Sequence, residues 1–161
     1  MECRDPVIRR RWRQLGATVL LAISALAGAA APPNSTSGDR VVLVVAVANP
    51  VTSLDAIDLK RLFLGVPVVA AGRNLHALLN DSDVRLRMIF HQHVVGMSLP
   101  MYERRLLQLT LEQGRRMPAV FVDGAQLLTA VAGDPLAVSY AWASAVVGNS
   151  RLRVVRELWR E

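Results

Sequence analysis

With 161 residues, 52% of them hydrophobic and 20% charged, the chain has the length of one domain. It is too apolar for disorder and too broken by charge for a multispanning membrane protein. The formal charge of +6 is concentrated at the start: beyond Arg4, Arg9, Arg10, Arg11 and Arg13, 14 basic residues face 11 acidic ones from Pro32 onward, with no aromatic interleaving. That pattern argues against a nucleic-acid partner.

Arg9 to Arg13 form a basic stretch, Leu15 to Leu26 an uncharged apolar one, and Ala25 to Ala31 a run of small residues in which Ala27-Gly28-Ala29 fits an A-x-A cleavage site. This is the pattern of a secretory signal peptide over residues 1–29, which places the remainder in the periplasm or outside the cell. An uncleaved anchor helix is the alternative for the same segment, although the run falls just short of the ~18–20 residues wanted for a span. Arg10-Arg11 raises a twin-arginine route as well, with weakly matching flanks. The only cysteine, Cys3, lies upstream of the apolar run, so the exported part has no thiol for a disulfide, a nucleophile or a metal, and no cysteine to carry a lipid. Residues 30–40, rich in Pro, Ser, Thr and Gly, read as a linker to a folded domain over 41–161.

Val41 to Val47 is a continuous β-branched run, the pattern of a strand covered on both faces. Asn49-Pro50 ends it, and Thr52-Ser53 supplies hydroxyls to cap a helix over Leu54 to Leu64, which Gly65 stops. Val66 to Ala70 and Asn74 to Leu79 read as short strands about a turn at Ala71-Gly72-Arg73. Asn80 to Asp83 is a cluster of capping residues before a helix marked by Val84, Met88, Val94 and Val95, ended by Gly96. Ser98 with Pro100 opens another, carried by Leu106, Leu107, Leu109 and Leu111 and ended by Gly114. Gly124 to Val131 is a further helix, Gly133-Asp134-Pro135 a turn, and Ala137 to Ala141 and Leu152 to Val155 are strands. Interleaved strands and helices argue for a three-layer α/β/α domain.

Four stretches also carry a family resemblance: the first strand with Asn49-Pro50-Val51 and Ser53-Leu54; Asp58 to Gly65; Phe90 with Val94 to Ser98; and Asp134 to Tyr140. Their content and order resemble small phosphate-transporter-type substrate-binding proteins of the type 2 periplasmic binding protein superfamily. The resemblance implies a single-lobe variant of that fold and a solute-binding role without catalysis. Phosphate binders of that superfamily have two lobes and a Ser-Gly-Thr loop at a helix start, where this chain has length for one lobe and reads Asp81-Ser82-Asp83-Val84. Asp81 and Asp83 repel phosphate and favour a neutral or zwitterionic ligand.

Helix starts offer free N–H groups to an anion. Asn49, Thr52 and Ser53 in one loop, and Ser82 with Arg85 and Arg87 in another, are therefore the candidate ligand-binding residues, set against plain helix capping and solvated arginines. Both loops follow strands, so they are expected to converge on one crevice at the strand carboxyl ends. His91 and His93 are two apart in a helix and face different ways, which suits surface histidines better than a metal pair. No catalytic motif or cofactor fingerprint is present, so neither an enzyme nor a cofactor is expected. Tyr102 to Arg105 and Arg115-Arg116 read as solvated basic faces or as a docking surface for an acidic partner, and Trp142 as a packing residue. Two functional readings follow: an exported module binding a small anion or other small molecule as a sensor or transport accessory, and a non-catalytic interaction protein that docks on a membrane sensor, a transporter subunit or an envelope complex.

Overall fold

The computed structural model describes residues 39–161; the signal peptide, its cleavage position and most of the linker lie outside the described residues. The chain forms β1 (Arg40–Ala46), α1 (Ala56–Phe63), β2 (Val68–Ala70), β3 (Arg73–Asn80), α2 (Val84–Ile89), a π-helical continuation (Phe90–Val95), α3 (Leu99–Gln113), β4 (Ala119–Phe121), α4 (Gly124–Gly133), β5 (Ala137–Trp142), α5 (Ala143–Val146) and β6 (Leu152–Arg160). One mixed sheet runs β2-β3-β5-β1-β6, with β4 also on β3. β3 is parallel to β4 and to β5, whereas β1 is antiparallel to both β5 and β6.

The β-branched run makes the expected central strand, flanked by β5 and β6. Its side chains alternate between two cores. Val41, Leu43 and Val45 pack with α1, α2, the π-helical segment and α3, whereas Val42 and Val44 pack with Leu127 and Val131 of α4 and Val146 of α5. Helices cover both faces of the sheet, which is the three-layer arrangement.

Several boundaries differ from the sequence expectation. The strand starts at Arg40 inside the expected linker, because Arg40 pairs with Arg160 and the Glu161 amide donates to Asp39. β6 accordingly runs to Arg160 and not merely to Val155. Helix α1 begins at Ala56, capped by the Asp55 carboxylate and not by Thr52-Ser53; Ile57 is 70% exposed, and Leu59 joins Leu62 on the buried face. Val84 and Met88 are exposed, and Leu86 and Ile89 carry the buried side of α2. In α3 Leu107 and Leu111 are exposed, and Tyr102 buries beside Leu106 and Leu109. β4 and α5, of three and four residues, were not expected; elements so short carry no periodicity to read.

The π-helical segment explains the histidines. From Phe90, ordinary helical spacing would turn His93 or Val94 inward, but the wider i, i+5 turn brings in Val95 and leaves His93 exposed. His91 is 4% exposed and its ring lies 4.6 Å from that of Tyr102, so the expectation of a surface residue does not hold for it. Phe90 stacks on Tyr140 at 3.6 Å and meets Phe63 edge-on at 4.7 Å, tying this segment to β5 and α1.

Candidate functional site

Strand directions decide which loops meet. β1 runs against β5 and β3 runs with it, so the loops leaving β1 and β3 emerge at opposite ends of the sheet. The side-chain amide of Asn49 donates to Ala137 at the start of β5 (3.1 Å), and that of Asn80 donates to Tyr140 further along (3.0 Å). The structure therefore does not bring Asn49, Thr52 and Ser53 together with Ser82, Arg85 and Arg87, and the single crevice expected between them is not formed. Antiparallel pairing of the first strand is invisible to composition, which is why both loops looked alike.

Asn49 is buried and serves its own loop. Its Oδ1 accepts from the Val51 amide (2.9 Å), and Arg153 donates to the Asn49 and Val51 carbonyls (3.1 and 2.7 Å). Thr52 and Ser53 are exposed and lie ahead of the helix start. These bonds fix a turn, and at the α1 start the Asp55 carboxylate accepts from the Asp58 amide (2.7 Å).

The carboxyl ends of the parallel strands β3, β4 and β5 form the other end, where open α/β sheets present their ligand crevice. Asn80 closes β3 with a buried side chain whose Oδ1 accepts from the Ser82 amide (3.1 Å) and hydroxyl (2.6 Å). A Cβ placed on Gly124 would lie 3.1 Å from Ser82 Oγ, so the starts of α2 and α4 approach closely and only a small residue fits between them. Sequence reasoning placed Asn80 and Asp83 in the capping cluster without assigning either its partner, and it missed Asp123 and the close approach at Gly124. The Asp-Gly pair just before an apolar helix was a legible cap signal; the burial of Asn80 was not.

Charges here are paired internally. Asp83 caps α2, one oxygen accepting from the Leu86 amide (3.0 Å) and the other from Trp142 Nε1 (3.1 Å). The Leu86 N–H bond, with help from Trp142 and Arg85, holds its carboxyl below the usual carboxylate range despite an opposing contribution from burial. Asp123 caps α4, its Oδ1 accepting from the Ala125 (2.7 Å) and Gln126 (3.1 Å) amides. Arg87 pairs with Asp81. Arg85 bridges Asp39 (2.5 Å) and Glu161 (2.8 Å), with its guanidinium 5.6 Å from the Trp142 ring and 6.0 Å from that of Trp159. Ser82 is thus a bystander to capping, and both arginines engage the protein's own carboxylates. Trp142 is partly buried against Trp159, in its expected packing role.

Elsewhere, Arg104 and Arg105 are exposed on α3, and Arg105 bonds Gln108 at 2.9 Å. His76 pairs with Asp134 at 2.5 Å across the turn before β5. Among the described residues no three His, Cys, Asp or Glu side chains cluster, and no helix is long and apolar enough to cross a membrane.

No protein-family model and no curated protein matches the chain. Solved structures do. A putative phosphate ABC transporter substrate-binding protein with bound phosphate from Clostridium perfringens superposes with a TM-score of 0.58 at 15% identity, covering 74% of this chain and 45% of that one. An ABC-type phosphate transport receptor from Vibrio cholerae gives 0.55 at 16% identity over 74% and 46%. PstS from Borrelia burgdorferi gives 0.55 at 12% identity over 74% and 47%. The chain spans somewhat under half the length of these receptors, and what it shares with them is the α/β fold of a phosphate-transport substrate-binding protein.

Proposed function

We propose that the protein is an exported, non-catalytic solute-binding-like module whose strand-end crevice does not take free phosphate. The observation that carries this reading is the position of the Asp83 and Asp123 carboxylates on the N–H groups of α2 and α4, where an anionic ligand would be held. At about 4 Å and an effective dielectric near 20, each negative charge brought beside such a carboxylate costs about 4 kcal/mol. A single charge-assisted hydrogen bond returns about 1.5–3 kcal/mol, so repulsion wins.

The receptor fold, the secretory pattern at the N-terminus and the lack of a catalytic motif support an extracytoplasmic role beside a sensor or transporter subunit. Calorimetric titration of the purified protein with phosphate, sulfate and small carboxylates tests the reading. Flat traces with all three are expected; saturable one-to-one heat with phosphate overturns it.

The mutual pairing of Asp81, Arg87, Arg85, Asp39 and Glu161 favours a second reading, a docking module that has given up its pocket. It differs from the first in binding no small molecule of any charge.

A further inference from the structure

Among the described residues, His91 Nδ1 is the buried side-chain nitrogen or oxygen without a hydrogen-bond partner, and it is closed to solvent as well. The ring lies 4.6 Å from that of Tyr102 and 5.9 Å from that of Phe90. Both nearby phenols are committed elsewhere, Tyr102 donating to the Phe63 carbonyl (2.6 Å) and Tyr140 to that of Asn80 (3.0 Å). The backbone of the same residue ends the π-helical segment: the His91 carbonyl accepts from the Gly96 amide (2.9 Å) and from the Met97 amide (3.1 Å). One residue therefore carries both the buried ring and the bonds that close the link to α3.

The surrounding charges give a protonated ring no partner in place. Asp81, after β3, is committed to Arg87 of α2, and Glu103 of α3 is exposed. From α1 comes Lys60, whose Nζ lies beside Gly96, and from β6 comes Arg156, on the His93 and Val94 side. β5 contributes the uncharged Tyr140. Burial first, then Arg87, depresses the His91 pKa, with Asp81 opposing them. A buried imidazolium without a partner is costly, so a ring that takes up a proton does better in water. The segment joins α2 to α3 outside the strand ladder, so its opening breaks no strand pairing.

We propose that the π-helical segment is an acid-opened latch: it is closed on the neutral His91 ring, and protonation drives the ring from the core, releasing the Phe90–Val95 turn and its Gly96 and Met97 cap bonds while the sheet stays folded. The sign follows from linkage. The closed state holds the ring neutral, so its contribution is fully present above the open-state pKa of about 6.5 and is lost as the pH falls. Opening should be about twentyfold more favourable at pH 5 than at pH 7.

Amide exchange of the intact protein, followed by NMR at pH 7 and pH 5 with intrinsic rates divided out, tests the latch. Protection of the Val95, Gly96 and Met97 amides should fall about twentyfold between the two. At pH 5 their exchange should be indifferent to low urea, whereas that of Val42 and Val44 in β1 should rise with it. His91→Phe should abolish the fall, and His93→Gln, at the exposed histidine of the same segment, should keep it. The His91 ring resonances, which need no substitution, should titrate with a midpoint below about 6.5. Constant protection from pH 7 to 5, a fall that survives His91→Phe or vanishes in His93→Gln, segment exchange with the urea dependence of β1, or an ordinary midpoint for the His91 ring each overturns the latch.

Discussion

Replacing Asp83 by alanine probes the strand end by stability as well as by binding. The carboxylate makes two bonds, one to the Leu86 amide at the start of α2 and one to Trp142 Nε1 at the end of β5. Loss of an N-cap acceptor costs about 1 kcal/mol, within a range of about 0.5–2. The indole bond is partly solvated and adds up to about 1 kcal/mol, so Asp83→Ala should destabilise by about 1–3 kcal/mol in urea unfolding at pH 7. Asn caps nearly as well as Asp and keeps an acceptor, so Asp83→Asn should cost less than about 1 kcal/mol. The pH dependence has a definite sign. The folded pKa of Asp83 lies below its unfolded value of about 3.9, so its contribution is fully present above that value and lost as the pH falls through the lower folded pKa. The gap between the native protein and Asp83→Ala should therefore be constant near neutrality and close in acid below about pH 4. An alanine variant as stable as the native protein at pH 7, or a gap that widens in acid, refutes this picture of the strand end.

Val44 is fully buried between α4 and β1's neighbours, and Val44→Asp should lower stability by several kcal/mol through an unpaired buried charge, read as a large fall in melting temperature. Asn80→Ala strips the Tyr140 carbonyl and the Ser82 amide of a shared partner, for about 2–3 kcal/mol in denaturant unfolding. His91 resists protonation in the fold; stability should fall as the pH drops below about 6.5, and His91→Phe should flatten that slope in melts between about pH 7 and 5. Mass spectrometry of the exported protein should find a mature start near Ala30, and a full-length, membrane-embedded product contradicts cleavage.

The layers were legible because they rest on pattern. The apolar run from Val41 calls for cover on both faces, and Val41 to Ala46 are buried throughout; Gly96 and Gly114 end their helices at φ 71° and 61° as their positions suggest. Caps were legible in type but not in place: Asp55 and Asp83 hold the helix starts that the neighbouring serines were expected to hold, because several capping residues in a row compete and packing selects one. Strand direction divides the candidate residues between the two ends of the sheet. Ser82, Arg85 and Arg87 fall at the carboxyl ends of the parallel strands, but Asn49, Thr52 and Ser53 fall at the other end, a consequence of strand direction that no local spacing encodes. The burial of His91 depends on the π-helical turn, which shifts the inward face by one residue and leaves no trace in hydrophobic periodicity.

The most direct measurement is an NMR titration of the Asp83 carboxyl carbon from pH 7 into acid, with and without millimolar phosphate, with the Leu86, Ala125 and Gln126 amides followed in the same spectra. If the protein's own carboxylates occupy the helix starts, Asp83 should titrate below about 3.9, and phosphate should move neither its midpoint nor those amides. An ordinary midpoint, or amides at both helix starts that shift saturably with phosphate, would show that the crevice is open to an external anion.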